Sequence, residues 1–190
     1  MADPIRKKRA TYDDVVAAPP SKVAEVVDGE LYLSPRPASP HALAGSHLYG
    51  DLDGPFGHDP GGEDAPGGWV ILFEPELHFG EDIVVPDLAA WRHQRMPKVP
   101  NVAFFTLAPD WLCEIVSPSS QRHDRIRKMR IYAREQVRHA WLIDPLEKTL
   151  EVFRLEGEHW LLASAHDGDA PVRAEPFDAV ELLMKRWWID

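Results

Sequence analysis

Two apolar runs, "IVVPDLAAW" from Ile83 and "WLCEIV" from Trp111, constrain this chain more than any other feature. Each is short, apolar and bounded by turn formers, which suits a strand buried in a sheet. Each also carries one carboxylate in its middle, Asp87 and Glu114. Taking an ionised carboxylate out of water is costly unless a cation or several hydrogen bonds meet it. The chain therefore needs a sheet that buries both runs, and something positive placed against both acids.

The remaining segments supply the rest of a mixed sheet. "KVAEVVDGELYLSP" is two β-prone runs around Asp28-Gly29, a dipeptide that favours a type I′ hairpin turn. "WVILFEPELHF" precedes the first of the two acid-bearing runs, and "HAWLID", "TLEVFRLE" and "HWLLASA" read as a meander after the second. A short helix is expected after Thr11, which has Asp14 three residues on. A second helix is expected from Ser39, with Pro40 at its first position, into the low fifties. The strongest helical pattern spans about 120–137, where Ile126, Met129, Ala133 and Val137 recur at three- and four-residue steps. A closing helix is expected over "DAVELLMKRWW", capped by Asp178. This order predicts an α/β or α+β domain with a mixed central sheet and few helices.

Residues 54–68, "GPFGHDPGGEDAPGG", hold six of the twelve glycines and three prolines, and read as a surface loop. With 190 residues, no repeats and no second boundary, one domain spans 1–190. No apolar run reaches the roughly 20 residues of a membrane span, and the basic N-terminus has no apolar stretch behind it to act as a secretory signal. A single cysteine, Cys113, excludes an intramolecular disulfide and agrees with a reducing cytoplasm. The formal net charge of −10 argues against a surface that grips nucleic acid all over. Between Arg122 and Arg138, however, seven basic residues face two acidic ones, a strip compatible with a local phosphate site, although composition alone favours a solvated helix face laced with charge.

If the two acid-bearing runs are neighbouring strands, Asp87 and Glu114 point to one side at one level. Two carboxylates so placed repel unless a proton or a cation intervenes. Mg²⁺ is the usual remedy, since it takes one or two carboxylates, a carbonyl and waters, and leaves room for a phosphate. The backbone carbonyl of Ile115 is a natural third oxygen. Pro86 marks an edge or bulge, where a side chain can be re-aimed. Lys128, on the following helix, is a candidate cation, but by spacing alone Asp124 and Lys128 make an exposed i,i+4 pair.

The segments "VAEVVDGELYLSP", "PDLAAW", "PDWLCEIVSPSS" and "DRIRKMRIYAREQVRHAWLIDPLEKTLEVFRL" together resemble the Uma-two endonuclease family of bacteria, within the PD-(D/E)XK, restriction-endonuclease-like superfamily. The resemblance implies a mixed sheet flanked by helices and Mg²⁺-dependent hydrolysis of phosphodiester bonds in DNA, with Mn²⁺ as an alternative ion. It implies Asp87 as the motif aspartate and Glu114 as the acid of the second motif. Where the superfamily usually has lysine, two residues after that acid, this chain has Val116. In the Uma-two branch the role migrates to a helix lysine, and the matching position is Lys128. Glu25 matches an N-terminal acidic position and would be a further ligand. By analogy with superfamily nucleases that cut both strands, a homodimer is expected.

On this reading Asp87, Glu114, Ile115 and Glu25 hold the ion, Lys128 orients or deprotonates water, and Arg125 and Arg130 on the basic strip contact substrate phosphate. His41 and His47 read as surface or capping residues, and Ser117, Ser119 and Ser120 as a turn and helix cap. Cys113 reads as a core thiol, Asp144 as the organiser of the turn that follows it, and Trp141, Trp160, Trp187 and Trp188 as core or interface fillers. Two other functions fit the same residues: a non-enzymatic partner-binding protein on this fold, and a hydrolase of nucleotides or small phosphates.

Overall fold

The computed structural model describes residues 8–57 and 65–189. A short helix α1 (Tyr12–Val16) leads into the hairpin β1 (Lys22–Val27) and β2 (Glu30–Pro35), then helix α2 (Ser39–Phe56). Strands β3 (Trp69–Phe73), β4 (Leu77–Phe79), β5 (Asp82–Val84), β6 (Leu88–Arg92) and β7 (Trp111–Ile115) follow. After β7 comes a helix whose first part, His123–Lys128, is wound as a π-helix and whose second, α3 (Met129–Arg134), is α. Strands β8 (His139–Asp144), β9 (Thr149–Glu156) and β10 (His159–Asp167), the short pair β11 (Pro171–Val172) and β12 (Leu182–Leu183), and a single 3₁₀ turn at Met184–Arg186 complete the chain.

Six strands form the central sheet in the order β10-β9-β8-β7-β6-β3, antiparallel throughout except where β7 and β8 run parallel. A parallel pair needs a crossover, and the π–α helix supplies it. Its start is therefore fixed at the end of β7 that carries Glu114. Alternation along the strands divides the core in two. Trp111, Cys113, Ile115, Trp141 and Ile143 face α2 and the C-terminal segment, where Phe177 packs among Phe56, Trp69, Trp111 and Trp141. Leu112, Val116, Ala140 and Leu142 face α3 and a second, four-stranded sheet of order β2-β1-β5-β4. Glu114 shares the parity of Leu112 and Val116, so it points to this second face. The mixed central sheet flanked by helices agrees with the sequence reading.

The hairpin turn is as expected: Asp28 and Gly29 both have positive φ, 56° and 78°, and Val27 pairs with Glu30. Asp144 Oδ1 accepts the amides of Leu146 and Glu147, organising its turn. Cys113 is a free, buried thiol.

Four expectations are corrected. The run "WVILFEPELHF" is two strands in different sheets, because Glu74 adopts a positive φ of 46° and Pro75 cannot donate to a ladder. The C-terminal "DAVELLMKRWW" is not a helix: Leu182 and Leu183 pair with Val172 and Pro171, and only Met184–Arg186 turns. Its apolar residues serve the α2-side core as an irregular strap. Helix α2 runs to Phe56, so Gly54 and Pro55 belong to it rather than to a loop. Phe56, buried in the core, anchors that end; 58–64 of the expected loop lie outside the described residues. Finally, the 120–137 helix does not keep a 3.6-residue period. The wider π turn rotates its faces, leaving Ile126 exposed while Asp124 and Lys128 turn inward. Among the described residues no helix is long and apolar enough to cross a membrane.

Candidate active site

The π-wound start of the crossover helix places Lys128 against the strand ends. Its ammonium lies 2.8 Å from Glu114 Oε1, 3.0 Å from Glu114 Oε2 and 2.9 Å from Glu25 Oε1, and donates to the Val85 carbonyl at 3.0 Å. Asp124 Oδ1, four residues back, is 3.8 Å away. All four charged side chains are buried, so the exposed Asp124–Lys128 pair read from spacing is corrected to a buried one. The Tyr132 hydroxyl donates to Glu114 Oε1. Glu25, on β1 of the second sheet, also accepts the Val85 amide at 2.8 Å.

Asp87 stands one residue before β6. Leu88 pairs with Cys113, so Asp87 falls opposite Glu114 on the neighbouring strand. Its Oδ2 accepts the Ile115 amide at 2.6 Å, and its Oδ1 lies 2.6 Å from His41 Nε2 on α2. The structure thus brings Asp87, Glu114, Ile115, Glu25 and Lys128 to one cavity of about 480 Å³. The Pro35–Ala38 segment and the Ser117–Ser120 turn form its walls.

Arg125 and Arg130 do not reach it. Arg125 pairs with Glu151 on β9 and Arg130 with Asp28 in the hairpin turn, and neither lines the cavity. The arginine that does is Arg36, held 3.6 Å from Glu74 and donating to the Pro20 carbonyl. Sequence reasoning assigned no role there to Arg36, His41 or Tyr132. For His41 a weak signal existed, a histidine beside the expected start of a helix. His123, packed on Tyr32, lies 3.3 Å from Glu25, yet among the described residues neither ring nitrogen makes a hydrogen bond of good geometry.

The charges do not balance. Four carboxylates gather around one lysine, with His41 against Asp87 and His123 near Glu25. Burial, with Asp124, Asp87 and Glu25 nearby and Lys128 as the main opposing charge, pushes Glu114 well above the usual carboxylate range. Asp124 is raised for the same first reason, burial. Burial also works to raise Glu25, but Lys128, the adjacent His123 ring and the Val85 amide outweigh it and hold its pKa at about 2. One lysine thus satisfies Glu25 and leaves Glu114 short, although it is at least as close to Glu114. The difference follows from position: Glu114 is ringed by the other three acids. Burial would lower Lys128, yet Glu114 and Glu25 raise it well above the ordinary lysine value. His41 is raised too, because its bond to Asp87 and that carboxylate's charge outweigh burial. An excess of buried negative charge either retains a proton or recruits a cation.

Among the described residues no three His, Cys, Asp or Glu side chains converge as a ready-made metal cage. Mg²⁺ does not require one, since it binds through one or two carboxylates and keeps its waters. Asp87 and Glu114 offer hard oxygen donors of the kind Mg²⁺ and Mn²⁺ prefer. A carboxylate has about four lone-pair positions, and the two contacts on Asp87 leave some of them open. The donor set fits the ion.

A family model described as "Putative restriction endonuclease", Uma2, matches residues 10–185. Among solved structures, the crystal structure of a "putative nuclease" belonging to DUF820 from Anabaena variabilis ATCC 29413 is similar. It shares 23% sequence identity over 94% of this chain and 97% of that one, with a TM-score of 0.74. At that identity the likeness establishes the fold. No curated protein matches the sequence.

Proposed function

The chain belongs to the Uma2 restriction-endonuclease family, and from that premise we propose that it is a divalent-cation-dependent nuclease that hydrolyses phosphodiester bonds in DNA. The observation that carries the reading is the Lys128 ammonium, buried between Glu114 and Glu25 and facing the cavity that Asp87 lines. A bound divalent cation would polarise the scissile phosphate and acidify an attacking water. Asp87 and Glu114, with the Ile115 carbonyl and Glu25, would hold that ion. His41 fixes the rotamer of Asp87 through the 2.6 Å contact, and the Ile115 amide fixes it from the other side.

Lys128 stays protonated at neutral pH, its pKa being raised. Its role is therefore to orient water and to stabilise charge developing on the phosphorane, an electrostatic role rather than that of a general base. The test is a cleavage screen over supercoiled, linear and single-stranded DNA with Mg²⁺, Mn²⁺ or chelator. Cleavage that needs the ion and is lost in Asp87→Asn and Lys128→Met is the expected result. No cleavage under any condition, or cleavage indifferent to both substitutions, would overturn the assignment.

One observation favours a second reading, a partner-binding protein on the same fold. Both oxygens of Glu114 and of Asp87 already meet donors from the chain itself, as a purely structural cluster would require. In that case Mg²⁺ leaves the thermal stability unchanged.

A further inference from the structure

A second cavity, of about 510 Å³, opens at the other end of the central sheet, lined by Arg95, Asp110, Arg138, His139 and Arg154 among others. Asp87 precedes β6 and Arg92 closes it, so five residues of strand set the two ends about 16 Å apart. The second cavity is distinct from the first.

Its carboxylates are already engaged. Asp110, buried, accepts the Arg92 amide at 2.8 Å and pairs with Arg95 at 2.9 Å. Glu135 pairs with Arg134, and Arg154 pairs with Glu175 and Glu156. Arg138 is different: among the described residues its guanidinium makes no ion pair and no hydrogen bond. Arg92, outside the cavity lining, lies 3.8 Å over the Trp69 ring. Beside them, His139 Nδ1 is buried and, among the described residues, has no hydrogen-bond partner. Burial lowers the pKa of His139, with Arg154, Arg92 and Arg138 adding to it and Glu175 opposing, which favours the neutral ring, whose N–H can be placed on Nδ1.

An unpaired guanidinium beside a buried ring nitrogen without a partner, in a concave site where two further arginines converge, is an arrangement that an external anion would complete. We propose that this cavity binds a phosphate group, with Arg138 as the principal cation, Arg95 and Arg154 flanking it, and His139 Nδ1 donating. The planar guanidinium fork matches two phosphate oxygens, which a lysine cluster would not. The volume falls within the range of small-ligand pockets. A phosphate can arrive there as the free ion, on a small molecule, or as the terminal phosphate of a nucleic-acid strand. The site does not depend on the nuclease reading.

Calorimetric titration of the full chain with inorganic phosphate tests it. Saturable one-site binding is expected, weakened at least about tenfold in Arg138→Glu and unchanged in Asp87→Asn. Arg138 is exposed, so its replacement leaves the core intact. Competition then separates the sources. If a 5′-phosphorylated oligonucleotide displaces phosphate and the unphosphorylated strand does not, the ligand is a nucleic-acid end. If only pyrophosphate displaces it, the ligand is a small phosphate. The proposal fails if no phosphate probe binds saturably, if Arg138→Glu binds as the wild type does, or if Asp87→Asn abolishes binding, since the anion then occupies the other cavity.

Discussion

Lys128 Nζ lies 2.8 Å from Glu114 Oε1 with both side chains almost wholly withdrawn from solvent. A buried pair of this kind contributes little net stability over a hydrophobic pair, but breaking it leaves a charge with no partner. Lys128→Met should therefore destabilise the chain at neutral pH by about 3–5 kcal/mol. Because Glu114, Glu25 and Asp124 can then take up protons, part of that loss should be recovered on mild acidification. Urea unfolding of the two proteins at neutral and mildly acidic pH reads this directly. A variant as stable as the wild type at both would mean that the lysine does not set the charge state of these acids.

Tyr132→Phe removes a single donor, the hydroxyl that meets Glu114 Oε1, and preserves the ring that packs on the α3 side. A hydrogen bond to a charged group is worth about 1.5–3 kcal/mol. We expect a loss of that order, together with a further rise in the Glu114 pKa. A loss under about 0.5 kcal/mol, the scatter of neutral surface changes, would show that Lys128 alone holds the carboxylate.

The two strand acids were legible in the sequence because each interrupts an apolar run, an anomaly in pattern that needs no distant information. The hairpin at Asp28-Gly29 was legible for a similar reason, since two successive positive φ angles demand such residues. Lys128 was not legible from periodicity. A 3.6-residue period puts it on the solvent side, and only the resemblance pointed inward; the π turn that reconciles the two has no sequence signature of its own. His41 and Glu25 reach the site across 46 and 60 residues of sequence, to Asp87 and Val85. Nothing local encodes those meetings. Arg125 and Arg130 illustrate the converse. Their charge pattern was visible, but the carboxylates that hold them, Glu151 and Asp28, were set by the tertiary fold.

Acidification should weaken the fold through His139. Its folded pKa lies below the ordinary value of 6.5, burial being the first cause. Above the unfolded pKa both states are neutral and the native state loses nothing. As the pH falls below it the unfolded chain takes up a proton first, and stability declines until the folded ring is protonated as well. Denaturation in phosphate-free buffer at about pH 7.5 and about pH 5 should show a smaller decline in His139→Gln than in the wild type. Equal declines would assign the acid sensitivity to other groups.

Cation binding is the most exposed consequence of the candidate active site, because the charge excess there has a second solution in a retained proton. If the cluster takes an ion, Mg²⁺ stabilises the native state by mass action: about 1.4 kcal/mol when its concentration is about ten times the dissociation constant. The unfolding midpoint should then rise with Mg²⁺ and follow a saturation curve. Asp87→Asn keeps the shape of the side chain and removes the charge from the acid that faces the cavity, so the increment should vanish while the variant stays folded. Lys128→Arg keeps the positive charge but alters its shape and its fit between Glu25 and Glu114. It should retain Mg²⁺-dependent stabilisation, since lysine does not ligate the ion, while any cleavage activity falls by about 10²-fold or more through misplaced water. A midpoint indifferent to Mg²⁺ and Mn²⁺ in the wild type would mean that a retained proton, not a cation, balances Glu114, and the cluster would then stand as a structural one.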